Sequence, residues 1–126
     1  VGSLMCLVDR MVEFLRSDST EAQEQGTQAV MHLASLAASH RKAIADEGAL
    51  PPLVALLRTG PPPVARQAAA ALGHLVEGSP EREEAAVEAG AVEPLVALLG
   101  PRAAPEVQDR AAFALGSLAG GRHWQH

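Results

Sequence analysis

The chain has 126 residues, 10 basic and 15 acidic side chains, a net charge of −5, 48% apolar residues and 2% aromatic ones. That length holds one domain or one short array; the acidic balance excludes the basic stripe that general nucleic-acid binding requires, and no apolar run is long enough to span a membrane. An Ala- and Leu-rich chain without β-branched or aromatic runs points to closely packed helices and away from strands.

In chain order, the first predicted helix covers residues 4–16. It is apolar on several sides, through Leu4, Met5, Leu7, Val8, Met11, Val12, Phe14 and Leu15. Asp9, Arg10 and Glu13 interrupt the run, and neither the basic lead nor the cleavage site of a secretory signal is present. Cys6 is the single cysteine, which excludes an internal disulfide framework and suggests a reducing interior. Its neighbours Met5 and Leu7 suggest a buried thiol. A second helix covers 20–39, with Ser19 or Thr20 as its cap and Glu21 and Glu24 near its positive end.

A short helix over 39–47 opens on Ser39, a capping residue type. Gly48 ends it, because glycine tolerates the left-handed backbone of a sharp turn. The next helix, 49–58, carries Pro51 and Pro52 in its first turn, where missing backbone donors cost little. Leu53, Val54, Leu56 and Leu57 cover most of its circumference, so it is expected to be buried on more than one side. Residues 59–63 form a loop. A long Ala-rich helix follows over 63–77, with Gly73 inside it at a cost of about 1 kcal/mol relative to Ala. A neighbouring helix passing too close for a methyl group accounts for that glycine.

The scheme then repeats: a short helix over 80–89, a turn at Gly90, a helix over 91–99, a loop over 100–105 and a long helix over 105–119. Residues 48–57 read GALPPLVALL and residues 90–99 read GAVEPLVALL, so Gly90 stands 42 positions after Gly48. Residues 64–75, VARQAAAALGHL, return as residues 107–118, VQDRAAFALGSL, and Gly73 returns as Gly116. A fainter copy lies upstream, with Val12 matching Val54, Leu15 matching Leu57, Val30 matching Leu72 and Leu33 matching Leu75. A unit of this size cannot bury its own apolar face and needs neighbours. The expected organisation is a partial unit over 1–38, full units over 39–78 and 79–121, and a frayed tail over 122–126. The tail carries His123, Trp124 and His126.

Short helix, glycine turn, buried helix with an early proline, loop and long Ala-rich helix together resemble the armadillo repeat. GALPPLVALL and GAVEPLVALL look like that family's signature, and the likeness runs from about Leu4 to Gly120. HEAT repeats are the runner-up, since VARQAAAALGHL would pass for one, but the short-helix–glycine entry at Gly48 and Gly90 is unlike them. The resemblance implies an all-α fold: a right-handed α-solenoid of about three repeats, the first incomplete. Its third helices would line a concave groove for extended peptides.

Groove positions carry over by motif. The family often places an asparagine just before a Leu in the last turn, where its amide can pair with both backbone groups of a peptide. Here His32, His74 and Ser117 stand there. One turn earlier, where importin-like members carry tryptophan, stand Gln28, Ala70 and Phe113. A further turn back gives Gln25, Gln67 and Arg110, with Glu24, Arg66 and Asp109 beside them. The expected groove is polar, mixed in charge and poor in aromatics, unlike one that grips basic nuclear-localisation peptides. Phe113, Arg66 and Arg110 are its best hot-spot candidates; the plain alternative for each residue is a solvated helix face.

No catalytic constellation is found: no Walker-type loop, no HExxH and no nucleophile elbow. His32 and His74 lie one unit apart, roughly 8–10 Å by helix spacing, too far to share a zinc without further ligands. Glu81, Glu83, Glu84 and Glu88 are expected to form a solvated acidic face. No cofactor or metal is expected. The leading functional expectation is a non-enzymatic scaffold, cytoplasmic or nuclear, whose partner is a protein or peptide rather than nucleic acid or membrane. The alternative is a spacer or assembly segment within a longer array, because the apolar first and last helices lack the polar caps a solenoid end needs. Flanking repeats or association through the ends would cover them. A HEAT-type lyase or other enzyme subunit stands a distant third, with no chemical residues behind it.

Overall fold

The computed structural model describes residues 2–120, with side chains from 6 to 119. The tail 121–126 and the side chains of Leu4 and Met5, both named above, lie outside the described residues. Eight helices and no strands occur among the described residues: α1 (Gly2–Leu15), α2 (Thr20–Leu36), α3 (Ala38–Asp46), α4 (Leu50–Thr59), α5 (Pro62–Val76), α6 (Pro80–Glu88), α7 (Val92–Ala97) and α8 (Pro105–Gly120).

The local chemistry explains most of these boundaries. Ser19 caps α2, its hydroxyl accepting from the Ala22 amide at 3.3 Å. Pro51 and Pro52 fall in the first turn of α4, as the sequence implied. Gly48 and Gly90 turn the chain with φ of 87° and 90°, the left-handed region that L side chains avoid. A third left-handed glycine, Gly78, precedes Ser79, whose hydroxyl caps α6 by accepting from the Arg82 amide at 3.2 Å.

Three boundaries differ from the sequence reading. Helix α2 stops at Leu36 instead of running to 39, because Ala37 is extended and serves both as its C-cap and as the N-cap of α3. Ser39 therefore lies inside α3 and does not cap it. Arginines on the following short helices satisfy the carbonyls freed at these helix ends. Arg41 donates to the Ala34 carbonyl at 3.0 Å. Arg82 donates in the same way to the carbonyls of Leu75 and Glu77. Burial of the Arg82 guanidinium, with Arg41 close by, holds its pKa below the usual arginine value. Helix α7 is shorter than the expected 91–99. Its last turn tightens where the amides of Leu99 and Gly100 donate to Val96 and Ala97, and Gln108 ties that turn to α8 by donating to the Gly100 carbonyl at 2.7 Å.

Helix α5 is the centre of the molecule. Ten of its residues are buried, from Val64 to Val76, and it packs against α2 on one side and α8 on the other. Each buried Leu or Val removes apolar surface worth about 1.5–3 kcal/mol. The core then spreads outward through Leu53, Val54, Leu56 and Leu57 of α4 and through Val8, Met11, Val12 and Leu15 of α1.

Candidate interaction groove

Because α5 lies between α2 and α8, the long helices form one layer. Glu24 and Gln28 of α2 meet Pro63, Arg66 and Gln67 of α5 around a cleft of about 210 Å³. Four of the residues singled out from the sequence thus surround one polar hollow. Further along, His74 of α5 stacks on Phe113 of α8, with ring centroids 4.9 Å apart and planes tilted by 56°. That is the separation at which aromatic pairs attract. The imidazole Nδ1 of His74 also lies 3.2 Å from the Glu77 carboxylate.

The Phe113 ring rests on Gly73. A Cβ at that position would stand 2.7 Å from Phe113 Cδ2 and 3.2 Å from the Ala114 Cα. The expectation that a neighbouring helix excludes a methyl group there is met. At Gly116, the same place in the next copy, nothing lies within 4 Å.

The remaining predicted residues are dispersed. His32, Asp109 and Arg110 are exposed on α2 and α8, and Ser117 is half-buried. Ala70 is buried and offers a floor, not a contact surface. Gln25 belongs to a different hollow, of about 540 Å³ and apolar, with Cys6, Leu7, Arg10, Met11, Phe14, Gly26 and Ala29.

Two sequence expectations are corrected. Cys6 is exposed, not buried, because the apolar side of α1 that it shares with Leu7 faces outward. Glu83 is buried at 3% exposure and its Oε1 has no hydrogen-bond partner, whereas Glu81, Glu84 and Glu88 are exposed. Just beyond α3, Glu47 lies close to Asp9 of α1. A hydrogen bond between the two carboxyls, followed by the repulsion of the Asp9 charge, raises the Glu47 pKa above its ordinary value.

Sequence reasoning missed the arginines that tie one copy to the next. Arg58 at the end of α4 donates to the carbonyl of Gly90 at 3.2 Å, reaching the glycine turn of the following copy. Arg16, 42 positions earlier, also lies next to the corresponding turn at Gly48, its guanidinium 3.7 Å from where a Cβ would stand. The signal was present as an arginine closing two successive copies.

Among the described residues, no three His, Cys, Asp or Glu side chains gather closely enough to hold a metal. Nor is any described helix long and apolar enough to cross a membrane.

The profile of the armadillo/beta-catenin-like repeat matches residues 38–77, which span α3 to α5. No curated protein matches the chain in sequence. Solved structures do. An engineered protein from the Northeast Structural Genomics Consortium is 39% identical with a TM-score of 0.85, the match covering 90% of this chain and 46% of that one. Computationally designed armadillo repeat proteins for modular peptide recognition are 32% identical, with a TM-score of 0.83 over 90% of this chain and 48% of that one. A designed armadillo repeat protein in complex with the peptide (KR)4 is 31% identical, with a TM-score of 0.82 over 89% and 46% of the two chains. The chain thus spans about half the length of these proteins. With the glycine turns, the prolines in the first turn of α4 and the layered long helices all in place, the chain has the armadillo repeat fold, and its residues 38–77 match that family's own repeat.

Proposed function

We propose that this chain is a non-enzymatic interaction module that holds an extended segment of a partner protein along the layer of α2, α5 and α8. Its units would be 1–38, 39–78 and 79–121. The observation that carries the reading is the cleft lined by Glu24, Gln28, Arg66 and Gln67, which presents amide, carboxylate and guanidinium groups together between two long helices. Amides both donate and accept, so they suit a peptide backbone, while Arg66 and Glu24 select among side chains. A 31% identical designed armadillo protein is described in complex with (KR)4, which supports a peptide as the ligand class. Arg66 and Arg110 beside Glu24 and Asp109 favour a segment of mixed charge over a purely basic one.

The test is fluorescence anisotropy against a random peptide library with (KR)4 included. His32, His74 and Phe113 are all changed to Ala. Affinity should fall at least tenfold while the helical circular dichroism stays. Unchanged affinity rejects the groove. A second reading, that the segment is one course in a longer stack of similar units, is favoured by the bare apolar surfaces at both ends of the helix layer.

A further inference from the structure

The 42-residue period returns in the hollows of the surface. One hollow, of about 420 Å³, lies between α1 and α4 and is lined by Leu15, Arg16, Pro52, Ala55 and Leu56. Another, of about 350 Å³, lies between α4 and α7 and is lined by Leu57, Arg58, Pro94, Ala97 and Leu98. Each residue of the second set stands 42 positions after its counterpart in the first. Both walls of each hollow come from consecutive copies, so the shape is set inside the stack and not at its ends. Neither hollow shares a residue with the cleft of Glu24 and Arg66.

Their make-up selects a side chain. Leu15, Leu56, Leu57 and Pro94 are buried and form the floors, whereas Ala55 and Ala97 are exposed and leave an open step. Arg16 and Arg58 are exposed beside them. Arg58 is held in place by its hydrogen bond to the Gly90 carbonyl at 3.2 Å, which uses one of the five donors of its guanidinium. An apolar floor next to a guanidinium suits an apolar side chain whose neighbour carries a carboxylate. The hollows differ at one point: Pro51 lines the first, and Glu93 takes its place in the second. A carboxylate is therefore favoured at the first hollow and repelled at the second.

Their spacing selects a backbone. The hollows flank α4, so they are one helix packing distance apart, about 8–10 Å. An extended strand returns to one face every two residues, at about 7 and 13 Å, and misses that distance. An α-helix comes near it after seven residues, about 10.5 Å, but then presses the side chains three and four along against α4 itself. A polyproline II segment returns to one face every three residues, about 9 Å, and turns the two between them away.

We infer that the edge formed by α1, α4 and α7 is a second docking surface, for a proline-rich segment in the polyproline II conformation. Apolar side chains at i and i+3 fill the two hollows, and an acidic residue sits beside the one next to Arg16. This surface is separate from the groove on α2, α5 and α8 and does not depend on it.

The experiment is an NMR titration of the isotope-labelled whole chain with the peptide Glu-Leu-Pro-Pro-Leu-Pro-Pro. Amide shifts should cluster around Ala55 and Ala97. Glu-Leu-Pro-Leu-Pro-Pro-Pro, with its leucines two apart, should bind at least fivefold more weakly. Ala55→Gln and Ala97→Gln fill the open steps with a neutral side chain that favours helix, so circular dichroism should be unchanged while affinity falls at least tenfold. Arg16→Glu should weaken binding of the glutamate peptide and strengthen binding of one in which lysine replaces the glutamate. If that variant weakens both peptides alike, Arg16 only supports the turn at Gly48 and the carboxylate assignment is overturned. No binding at millimolar peptide, shifts clustered on Glu24, Gln28 and Arg66, or equal binding of a helical peptide with leucines seven apart overturns the docking surface.

Discussion

Gly73 and Gly116 occupy the same place in two copies of one phrase, yet replacing each with alanine should move stability in opposite directions. Alanine in a helix interior is favoured over glycine by about 1 kcal/mol, so Gly116→Ala, with nothing within 4 Å of its new methyl group, should gain roughly that amount. At Gly73 the same gain is opposed. The methyl group would overlap the Phe113 ring and press on the Ala114 backbone at 3.2 Å. Overpacking of this kind costs about 1–3 kcal/mol. The net effect at Gly73 is then a loss of about 0–2 kcal/mol, and the two variants should differ by about 1–3 kcal/mol. In a domain of this size 1 kcal/mol moves the melting temperature by about 3–5 °C. Thermal unfolding of dilute protein, followed by far-ultraviolet circular dichroism, measures both. Truncating the ring should relieve the conflict, so Gly73→Ala should cost less in a Phe113→Ala background, with a coupling of about 1 kcal/mol. If Gly73→Ala raises the melting temperature as much as Gly116→Ala, the α5–α8 packing is not as described.

Three further outcomes follow from the local geometry. Ser79→Ala should cost about 1 kcal/mol in urea denaturation because it removes the cap of α6, whereas Ser39→Ala, inside α3, should be near neutral. Glu83→Met should stabilise by about 1–2 kcal/mol, since it removes a buried carboxylate oxygen that has no partner. Because the Glu47 carboxyl binds its proton more tightly in the folded chain than in the unfolded one, this group's contribution should weaken as pH rises from the ordinary glutamate value through the raised one. In Asp9→Asn, carbon-detected NMR titration should return Glu47 toward its ordinary midpoint and that pH dependence should flatten.

The sequence exposed the helices and their repetition because the signals were local. Gly48 and Gly90 have φ values that only glycine readily takes, and Pro51 and Pro52 fit only a first helical turn. The errors came where a partner distant in sequence decides the outcome. Nothing next to Cys6 says that its side of α1 opens outward. Nothing in the acidic run says that Glu83 alone turns inward. The early end of α2 depends on Arg41 reaching back to Ala34, and a basic residue in a short helix reads locally as surface. Of the groove residues carried over by motif, Glu24, Gln28, Arg66 and Gln67 share one cleft, while Gln25 lines a different hollow. A one-residue step along a helix rotates a side chain by about 100°, enough to exchange groove for end face.

That rotation separates two kinds of surface. Positions that stack one copy on the next must fit the same shape each time, and they hardly vary: Leu53 with Leu95, Val54 with Val96, Leu57 with Leu99, Leu75 with Leu118, Gly73 with Gly116. Positions free of that demand diverge. The row Glu24, Arg66, Asp109 alternates in charge, and the row Gln28, Ala70, Phe113 runs from amide to methyl to aromatic ring. A uniform row suits a uniform ligand, because every step offers the same contact. A row that changes sign at each step instead penalises a ligand shifted by one unit, since like charges then face each other. If a segment binds along these helices, its register is set by this alternation, and exchanging Glu24 and Arg66 should reverse the preferred charge order of bound peptides without changing the stack.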